Sequence, residues 1–380
     1  MGKIIILGAG MVGRAMAIDL SKKHQVTSVD LDKNALDLLS KKPDIDTNIM
    51  DVTDHAALSK TIKDFDIVIS AVPGFLGLQT MIQVIKQKKN LVDISFLPED
   101  VLYLDSLAKE NKVTVVMDCG IAPGVPNYIV GYHNETMRIE EVEYMVGGLP
   151  KIRTFPFEYK APFSPCDVIE EYTRPSRYVE NGKIKVKPAM SDAELVHFDE
   201  IGTLEAFNTD GLRSLIFTMK HIPFMKEKTL RYPGHIRLIQ AFRDAGFFDK
   251  EPTIIKGKEV IPFDLTSRIL FNVWKLGQEE PEFTVMRVVL RGSENNTKKE
   301  ITYDLFDEYD PVTKLSSMAR TTGFTATGTV EMILNGKFIE KGVFPPELVG
   351  KDPECFEFIL SYLKERNVHF KVQITADTKN

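Results

Sequence analysis

The chain has 380 residues, 43% hydrophobic content and a formal net charge of −6, which favours two domains and argues against nucleic acid or a membrane surface as a main partner. The cysteines, Cys119, Cys166 and Cys355, show no paired spacing and the histidines are scattered, so we expect a reducing compartment and no metal site. No apolar run reaches the roughly 18–20 residues of a membrane helix, and the first residues are typical of a strand rather than a signal peptide, so we expect a cytoplasmic protein.

The chain opens with a dinucleotide-binding pattern. A short apolar run leads into Gly8-Ala-Gly10-Met-Val-Gly13, then a helical stretch, then a second strand that ends on an acid. Gly8 permits the tight turn, Gly10 lets backbone approach a pyrophosphate at the helix N-terminus, and Gly13 lets the helix pack closely on the strand. The cofactor-binding residues predicted here are Gly8, Gly10, Met11, Val12 and Gly13.

The acid that ends the second strand, Asp30, determines the predicted cofactor. A carboxylate at this place hydrogen-bonds the adenosine ribose hydroxyls and repels a 2′-phosphate. No Arg or Lys follows at once, since the next residues are Leu31 and Asp32. We therefore expect NAD rather than NADP, unless Asp30 only begins a turn.

Strands and helices alternate up to about residue 120. Strands are predicted at 66–71, 90–94 and 113–117, and helices at 78–87 and 102–110. This alternation predicts an α/β fold with a doubly wound parallel sheet, a Rossmann domain, whose ligands bind at the carboxyl ends of the strands. Asp51 and Val52 are predicted to contact adenine, although Asp51 or Asp54 can equally well cap a helix. The other cofactor-binding residues predicted on this rim are Ala71, Val72, Pro73 and Cys119.

The pattern changes after residue 121 and indicates a second, α+β domain with a largely antiparallel sheet. Alternation at 141–146 predicts a strand, Asn181-Gly182 predicts a hairpin over 177–186, and segments 283–290 and 300–305 predict another hairpin. Helices are predicted at 235–242, 323–335 and 353–365, with a loop over 337–350 and a final strand. The predicted divisions are a Rossmann domain over 1–122, a substrate and dimerisation domain over 123–320, and a segment over 321–380 that returns to the first domain.

An ordered set of segments carries a family resemblance. The segments are Gly8-Ala-Gly10-Met-Val-Gly13, Asp118-Cys-Gly-Ile-Ala-Pro-Gly-Val-Pro-Asn127, Val146-Gly-Gly-Leu-Pro150, Glu205-Ala-Phe-Asn-Thr-Asp-Gly211, Lys228-Thr-Leu-Arg-Tyr-Pro-Gly234 and Gly342-Val-Phe-Pro-Pro-Glu347. With them the chain resembles the saccharopine dehydrogenase superfamily over nearly its whole length, and looks most like its L-lysine 6-dehydrogenase members. The resemblance implies a dinucleotide domain joined to an α+β substrate domain.

Departures from the saccharopine reductases of that family bear on the substrate. Those enzymes typically carry a Ser-Tyr pair and a Leu-Asp-Pro-Gly motif where this chain has Ser95-Phe96 and Ile121-Ala-Pro-Gly124, and an Arg near the position of Asp210. Loss of a carboxylate-binding cation favours lysine over saccharopine, although the nearby Arg213 can supply that charge. The resemblance thus implies NAD-dependent oxidative deamination of the ε-amine of L-lysine. Its products are 2-aminoadipate 6-semialdehyde, which cyclises to piperideine-6-carboxylate, with NADH and ammonia.

This chemistry needs a group that takes a proton from the ε-ammonium and a cation for the distal carboxylate. Asp118 is the first candidate for amine binding or proton transfer, with a helix or turn cap as its alternative, and Asp93 is the second. Arg213 is the candidate for the carboxylate, with a surface arginine as its alternative. The other predicted substrate-binding residues are Thr209, Asp210, Tyr172 and Ser95, with Ser214 as a further hydroxyl donor; Arg231 is a candidate for an interdomain contact, and His221 and His235 are candidate bases or structural residues.

Two other functions remain open. One is a saccharopine or carboxyspermidine-type dehydrogenase that acts on a secondary amine, which would need more cations facing the nicotinamide. The other is a non-catalytic NAD-binding regulator, since Rossmann domains host both classes. The expected partners are a small amine or amino-acid substrate and a second copy of the chain in a homodimer, because twofold dimers are the commonest oligomers.

Overall fold

The computed structural model describes residues 1–41, 44–277 and 279–376. The strands are β1 (Lys3–Leu7), β2 (Gln25–Asp30), β3 (Ile45–Ile49), β4 (Ile67–Ser70), β5 (Asn90–Asp93), β6 (Thr114–Val116), β7 (Arg138–Pro150), β8 (Ser176–Glu180), β9 (Lys183–Lys187), β10 (Glu194–Phe198), β11 (Gly202–Asn208), β12 (Phe224–Arg231), β13 (Thr253–Ile255), β14 (Lys258–Val260), β15 (Glu282–Glu294), β16 (Thr297–Glu308), β17 (Gly342–Phe344) and β18 (Phe370–Ala376). The helices are α1 (Met11–Leu20), α2 (Lys33–Leu39), α3 (His55–Thr61), α4 (Gly74–Lys86), α5 (Asp105–Glu110), α6 (Val125–Asn134), α7 (Pro165–Thr173), α8 (Leu215–Thr218), α9 (His235–Asp244), α10 (Pro262–Trp274), α11 (Ser317–Leu334), α12 (Pro346–Gly350) and α13 (Pro353–Lys364).

The first sheet is parallel throughout and has the order β17-β6-β5-β4-β1-β2-β3. Its central strands are buried on both faces, and Ile4, Ile5, Ile6 and Leu7 of β1 are fully inaccessible to solvent. A continuous apolar run is what a strand covered by helices on both faces requires. The predicted Rossmann sheet is therefore confirmed.

The second sheet has the order β10-β11-β12-β7-β15-β16-β18, with β8 added at β12 and β9 at β8. All of these pairs are antiparallel except β7 with β12, so the predicted largely antiparallel sheet is confirmed. The hairpin between β8 and β9 turns at Asn181 and Gly182, whose φ angles are 51° and 70°. Positive φ at both central residues matches the twist of the flanking strands, which is why Asn-Gly marked this turn correctly.

Helix α11 lies between the two sheets and is buried over nearly all of its length. Its polar side chains satisfy themselves locally: the hydroxyls of Thr321, Thr325 and Thr329 donate to the carbonyls one turn earlier at 2.8–3.0 Å. At Gly323 an added Cβ would lie 3.1 Å from Met16 of α1, so the missing side chain permits close helix packing. The predicted helix over 323–335 is confirmed and begins earlier, at Ser317.

The prediction of a loop over residues 337–350 is wrong. This segment contains β17, which pairs in parallel with β6, and α12, which begins at Pro346. A proline fits the first turn of a helix because its missing N–H has no partner there, so the Pro-Pro pair that indicated a loop marks a helix start. The three residues of β17 are too few to show a periodic pattern, and only their pairing with β6 identifies them as a strand.

None of the helices in the described ranges is long and apolar enough to span a bilayer.

The chain after α11 contributes to both sheets, since β17 extends the first sheet and β18 pairs with β16 in the second. The thiols of Cys119 and Cys355 are buried and unoxidised, and the side chain of Cys166 lies outside the described part of the chain. A cleft lies between the loops at the carboxyl ends of the first sheet and one surface of the second sheet, because residues from both line it.

Candidate active site

The cleft has a volume of about 1110 Å³. One wall is made by residues that follow β1 to β6, and the opposite wall by β7, β12 and the helices α7 and α10. A ligand pocket at the carboxyl ends of parallel strands is the usual place for a dinucleotide in such sheets. The cleft continues beyond the glycine turn to the second sheet, so it has room for both a cofactor and a small substrate.

The glycine turn fits a dinucleotide phosphate. Gly8 has a φ of 111°, and an added Cβ would lie 2.5 Å from the carbonyl oxygen of Ala71. A Cβ on Gly13 would lie 2.0 Å from the carbonyl oxygen of Gly8, so α1 packs on β1 only without a side chain there. A Cβ added at Gly10 would meet no atom of the described residues within 4 Å, and Gly10 lines the cleft at the N-terminus of α1. This open face leaves room for a phosphate group on the backbone N–H groups of α1.

Asp30 lies at the end of β2 and lines the cleft beside the glycine turn. Its carboxylate accepts hydrogen bonds from the backbone N–H of Ala9 at 2.6 Å and of Asp32 at 2.8 Å, which fix its orientation. Asp32 and Asp37 line the same end of the cleft. Three carboxylates at this end form an environment that disfavours a 2′-phosphate.

The carboxylates of Asp51 and Asp54, which follow β3, make different contacts. Asp51 lines the cleft but bonds the backbone and hydroxyl of Thr53 at 2.8 and 2.7 Å, whereas Asp54 caps α3 by accepting from Ala56 and Ala57. The predicted residues that line the cleft are Gly8, Gly10, Met11, Val12, Gly13, Asp30, Asp51, Val52, Ala71, Val72, Pro73, Ser95 and Asp118. The predicted residues outside the described lining are Asp93, Cys119, Tyr172, Thr209, Asp210 and Arg213.

Asp118 and Arg213 form a buried ion pair across the two halves of the molecule. The guanidinium contacts the carboxylate with nitrogen–oxygen distances of 3.2–3.4 Å, and both side chains are at most 3% exposed. Arg213 also donates to the carbonyl oxygen of Leu97, in the loop after β5. Asp118 and Arg213 have φ angles of 51° and 53°, a backbone conformation that surrounding contacts must enforce in residues other than glycine.

Asp93 lies just behind the cleft wall. It is fully buried, and burial raises the pKa of its carboxyl to about 7, while hydrogen bonds from Ser95 oppose the rise. Ser95 donates its hydroxyl to this carboxylate and is itself in the cleft lining. Cys119 bonds Thr329 at 2.9 Å, and burial raises the pKa of this thiol to about 12, as expected of a small buried residue.

Thr209 and Asp210 follow β11 and are directed into the second half of the molecule. Asp210 binds Arg177 through two bonds of 2.8 and 2.7 Å. The hydroxyl of Thr209 donates to Glu227 at 2.6 Å and bonds the hydroxyl of Thr229 at 2.8 Å. Thr209 therefore reaches the cleft through Thr229, which belongs to the lining.

The cleft also contains charged and polar side chains that were not predicted to bind a substrate. Asp167, Glu171, Thr229 and Arg231 line the part formed by α7 and β12. Two sequence signals were available: Asp167 and Glu171 are four residues apart on one helix face, and Thr229 and Arg231 are two apart on one strand face. Lys275, at the end of α10, is exposed at the same cleft.

Arg231 is buried and held by its neighbours. Its Nε donates to the Tyr172 hydroxyl at 2.9 Å, and Nη2 contacts Glu171 at 2.5 Å and the Tyr159 hydroxyl at 3.3 Å. Nη1 donates to the carbonyl of Leu230 at 2.9 Å. Within the described residues these contacts use four of the five N–H groups of a guanidinium, which leaves one for a ligand.

Tyr172 and His235 orient this arginine from behind. The Tyr172 hydroxyl bonds Nε2 of His235 at 2.9 Å, and Nδ1 of His235 bonds the carbonyl of Phe157 at 2.9 Å. Burial and the charge of Arg231 lower the pKa of His235 to about 3, so the ring stays neutral. A neutral ring donates through Nδ1 and accepts the Tyr172 hydroxyl at Nε2, which leaves the hydroxyl oxygen to accept from Arg231.

Burial raises the pKa values of both acids of α7, Asp167 and Glu171, but different groups oppose the rise. Burial raises the pKa of Asp167 to about 6, although its carboxylate accepts from the Ser164 side chain and the backbone of Gly74. Burial also raises the pKa of Glu171, while the charge of Arg231 opposes that rise. A cation and two carboxyls thus face one cleft, an arrangement that can bind the carboxylate and the ammonium group of an amino acid.

We expect Gly10→Ala to weaken dinucleotide binding by roughly 10- to 200-fold, because the added methyl group occupies the open face of the turn. The free energy of unfolding should change by about 1 kcal/mol or less. Gly13→Ala is the contrasting variant, since its Cβ meets backbone and should cost about 1–3 kcal/mol of stability. Fluorescence titration with NADH and urea unfolding separate the two effects. Normal NADH affinity in Gly10→Ala contradicts this site.

We expect Arg213→Met to lower the free energy of unfolding by about 3–5 kcal/mol, because it leaves Asp118 buried without its cation. The double variant Asp118→Asn/Arg213→Met should recover much of that loss. Lys22→Met, which removes an exposed partner of Asp19, is the control and should cost about 1 kcal/mol or less. Unchanged stability in Arg213→Met with a raised KM for an amino acid would instead support the carboxylate-binding role predicted for Arg213.

Two family models match the chain. The model described as "Saccharopine dehydrogenase NADP binding domain" matches residues 4–116, and "Saccharopine dehydrogenase C-terminal domain" matches residues 118–368. Mitochondrial alpha-aminoadipic semialdehyde synthase of Rattus norvegicus is 23% identical over 453 residues, which cover 98% of this chain and 48% of the rat protein. The chain therefore spans about half the length of the curated relatives it matches.

Solved structures show the same fold. Apo histidine-tagged saccharopine dehydrogenase (L-Glu forming) from Saccharomyces cerevisiae aligns with a TM-score of 0.80 at 20% identity, covering 99% of this chain and 100% of that chain. Homospermidine synthase from Legionella pneumophila, in complex with NAD, aligns with a TM-score of 0.67 at 13% identity, covering 98% of this chain and 91% of that chain. With both family models matched in sequence order, the chain belongs to the saccharopine dehydrogenase family.

Proposed function

We propose that this chain is a nicotinamide-nucleotide-dependent dehydrogenase that oxidises a carbon–nitrogen bond of an amino acid. One observation carries the proposal: the cleft that contains the glycine turn also contains a buried arginine, Arg231, and the carboxyls of Asp167 and Glu171. A carboxylate-binding cation and ammonium-binding acids are what an amino-acid substrate requires. An idle nucleotide-binding protein has no need for these buried charges, whose desolvation is costly.

The proposed substrate is L-lysine, oxidised at its ε-carbon. Arg231 binds the α-carboxylate through its remaining N–H, and Asp167 with Glu171 binds the α-ammonium group. Asp210, near which the resemblance to saccharopine reductases implies an arginine, is bonded to Arg177 and adds no cation to the described cleft lining. The products are 2-aminoadipate 6-semialdehyde, which cyclises to piperideine-6-carboxylate, with NADH and ammonia.

The residues around the cleft prepare the amine and do not themselves carry redox chemistry. A bound nicotinamide nucleotide supplies the hydride acceptor. An ε-ammonium has no lone pair with which to expel hydride, so the protein must first take a proton from it. Ser95 and Asp118 lie on the wall formed by the first sheet, and Asp167, Thr229 and Arg231 lie on the wall formed by the second half. The substrate is thus bound between two walls that the Asp118–Arg213 pair connects.

We propose NAD as the cofactor, since Asp30, Asp32 and Asp37 line the end of the cleft where a 2′-phosphate would lie. The matched N-terminal model carries NADP in its description, whereas the Legionella enzyme was solved with NAD. Local charge supports NAD, because like charges in contact cost several kcal/mol.

Lys275 favours a second candidate, a dehydrogenase of the saccharopine or carboxyspermidine type that acts on a secondary amine. Lys275 lines the same cleft as Arg231, so two carboxylates of one larger substrate can each meet a cation. Lys275 is exposed, however, and an exposed cation binds less strongly than the buried guanidinium. We therefore prefer the oxidation of L-lysine to the oxidation of a secondary amine.

The test is NADH formation, followed by absorbance, with purified protein and L-lysine, run beside saccharopine and beside NADP. Reduction of NAD that depends on lysine supports the proposal. Turnover of saccharopine alone moves the substrate to the second candidate. If NAD binds tightly and no amine is oxidised, the dehydrogenase function is contradicted.

We expect Asp30→Asn to raise the efficiency with NADP relative to NAD by about 10²-fold, because removing one negative charge relieves repulsion worth several kcal/mol. The amide oxygen keeps the hydrogen bond from the backbone N–H of Ala9 and loses the one from Asp32, which should cost about 0.5–1.5 kcal/mol of stability and leave the turn folded. Asp46→Asn is the matched control, since Asp46 is an exposed acid of β3 outside the described cleft lining. An unchanged ratio of kcat/KM values in Asp30→Asn rules out this role for Asp30.

We expect the KM for the amino acid to rise as the pH falls through about 6, because Asp167 then becomes protonated and loses its charge. Asp167→Asn should have a KM about 10- to 100-fold higher above that pH and no pH dependence there, since a hydrogen bond to a charged group contributes about 1.5–3 kcal/mol. Steady-state kinetics across that range provide the measurement. Glu158→Gln is the control, because Glu158 is a partly exposed acid paired with Arg153 outside the described cleft lining. A KM rise that persists in Asp167→Asn assigns the ionisation elsewhere.

A further inference from the structure

Three polar side chains alternate along β12, and the chemistry above uses only one of them. Glu227, Thr229 and Arg231 are two residues apart, so they extend from the same face of the strand. Thr229 and Arg231 line the cleft, whereas Glu227 lies one step deeper and is 4% exposed. A buried carboxyl needs an explanation, because removing it from water is costly unless it is paired or bonded.

Glu227 is linked to the cleft by hydroxyl groups. Its Oε2 accepts the Thr209 hydroxyl at 2.6 Å and the backbone N–H of Gly211 at 3.0 Å. The Thr209 oxygen lies 2.8 Å from the Thr229 hydroxyl, and Thr229 faces the cleft. Gly211 permits this contact, since a Cβ there would lie 2.4 Å from the Glu227 carboxyl carbon. A short hydrogen-bonded chain therefore runs from the cleft to a buried carboxylate.

The surroundings of Glu227 favour its protonated form. Among the described residues no Lys, Arg or His forms an ion pair with it. The charged or titratable groups that face Glu227 are Glu171 from α7, Asp210 after β11 and the Tyr144 hydroxyl from β7, and Asp210 is itself bound to Arg177. Burial first, and then the neighbouring acids, raise the pKa of Glu227 to about 8.

We propose that Glu227 is the proton acceptor for the substrate ammonium group and acts through Thr209 and Thr229. This inference rests on the proposed function, whose first step it deepens. Glu227 itself touches no substrate, so its role is to position the two hydroxyls and hold the proton. Asp118 is paired with the Arg213 guanidinium, whereas Asp93 has a comparable link to the cleft through the Ser95 hydroxyl, so the pH profile of Asp93→Asn is compared with that of Glu227→Gln.

The step balances as a proton transfer. The nitrogen–hydrogen bond of the ε-ammonium breaks, and its electron pair stays on nitrogen. The proton passes to the Thr229 oxygen, the Thr229 proton to the Thr209 oxygen, and the Thr209 proton to Oε2 of ionised Glu227. The neutral amine can then expel hydride to the nicotinamide, and after product leaves, the proton returns along the same chain to water in the cleft.

The first test is the pH dependence of kcat with L-lysine and NAD. In the wild type, kcat should rise as the pH increases through about 8, where Glu227 becomes ionised. Glu227→Gln keeps an oxygen for Thr209 and Gly211 but cannot take a proton, so kcat should fall by roughly 10²-fold and lose this rise. Thr209→Val should behave alike, and Thr209→Ser should restore the rise, which a merely structural role would not produce.

Two matched controls accompany these variants. Glu282→Gln removes another buried carboxyl whose pKa burial raises to about 8, and Thr203→Val removes an exposed hydroxyl of β11. Both should keep the wild-type pH profile. Urea unfolding and NADH binding are measured on every variant, so that a folding defect is recognised.

A second readout needs no turnover. Infrared titration in the Glu282→Gln background should show a protonated-carboxyl band that disappears as the pH rises through about 8 and is missing when Glu227→Gln is added. A wild type that oxidises lysine while Glu227→Gln or Thr209→Val keeps the pH-dependent rise overturns the relay alone. A wild type inactive with every amine overturns the proposed function together with the relay.

Discussion

The buried ion pair between Asp118 and Arg213 is the contact on which the cleft depends. Asp118 follows β6 of the first sheet, and Arg213 follows β11 of the second, so this pair joins the two walls. Removing two charges from water is costly, and only good mutual contacts compensate for it. Left-handed backbone at both residues is tolerated because the surrounding structure enforces it.

Behind the cleft, Arg231 is likewise held by hydrogen bonds and an ion pair. Tyr172 and neutral His235 hold Arg231 from one side, and Glu171 holds it from another. Glu227 differs from Arg231, because this buried carboxyl is bonded to a hydroxyl and a backbone N–H without an ion-pair cation in the described chain. A buried carboxyl of this kind is suited to holding a proton that it later releases. Because Glu227 lies on the same face of β12 as Thr229 and Arg231, it is placed to serve the proton transfer proposed for the substrate amine.

Much of the architecture was predictable because local physics determines it. The glycine turn, the continuous apolar strands and the Asn181-Gly182 hairpin each have a steric or burial requirement that few residue types meet. The segment over 337–350 was misassigned because β17 is a strand only through its pairing with β6, and Pro346 begins a helix in a context that favoured a loop. Short elements that depend on distant partners leave no periodic trace in the sequence.

The sequence by itself determined the nucleotide-binding half, with Gly8, Gly13 and Asp30 at the positions that a dinucleotide requires, and it carried the family resemblance. Only the tertiary structure decided which charged residues line the cleft. Arg213 and Arg231 are both buried arginines, but one is bound to Asp118 and the other lines the cleft. Such a choice depends on which side chains meet across two sheets, and contacts between residues some hundred positions apart are not encoded in local spacing.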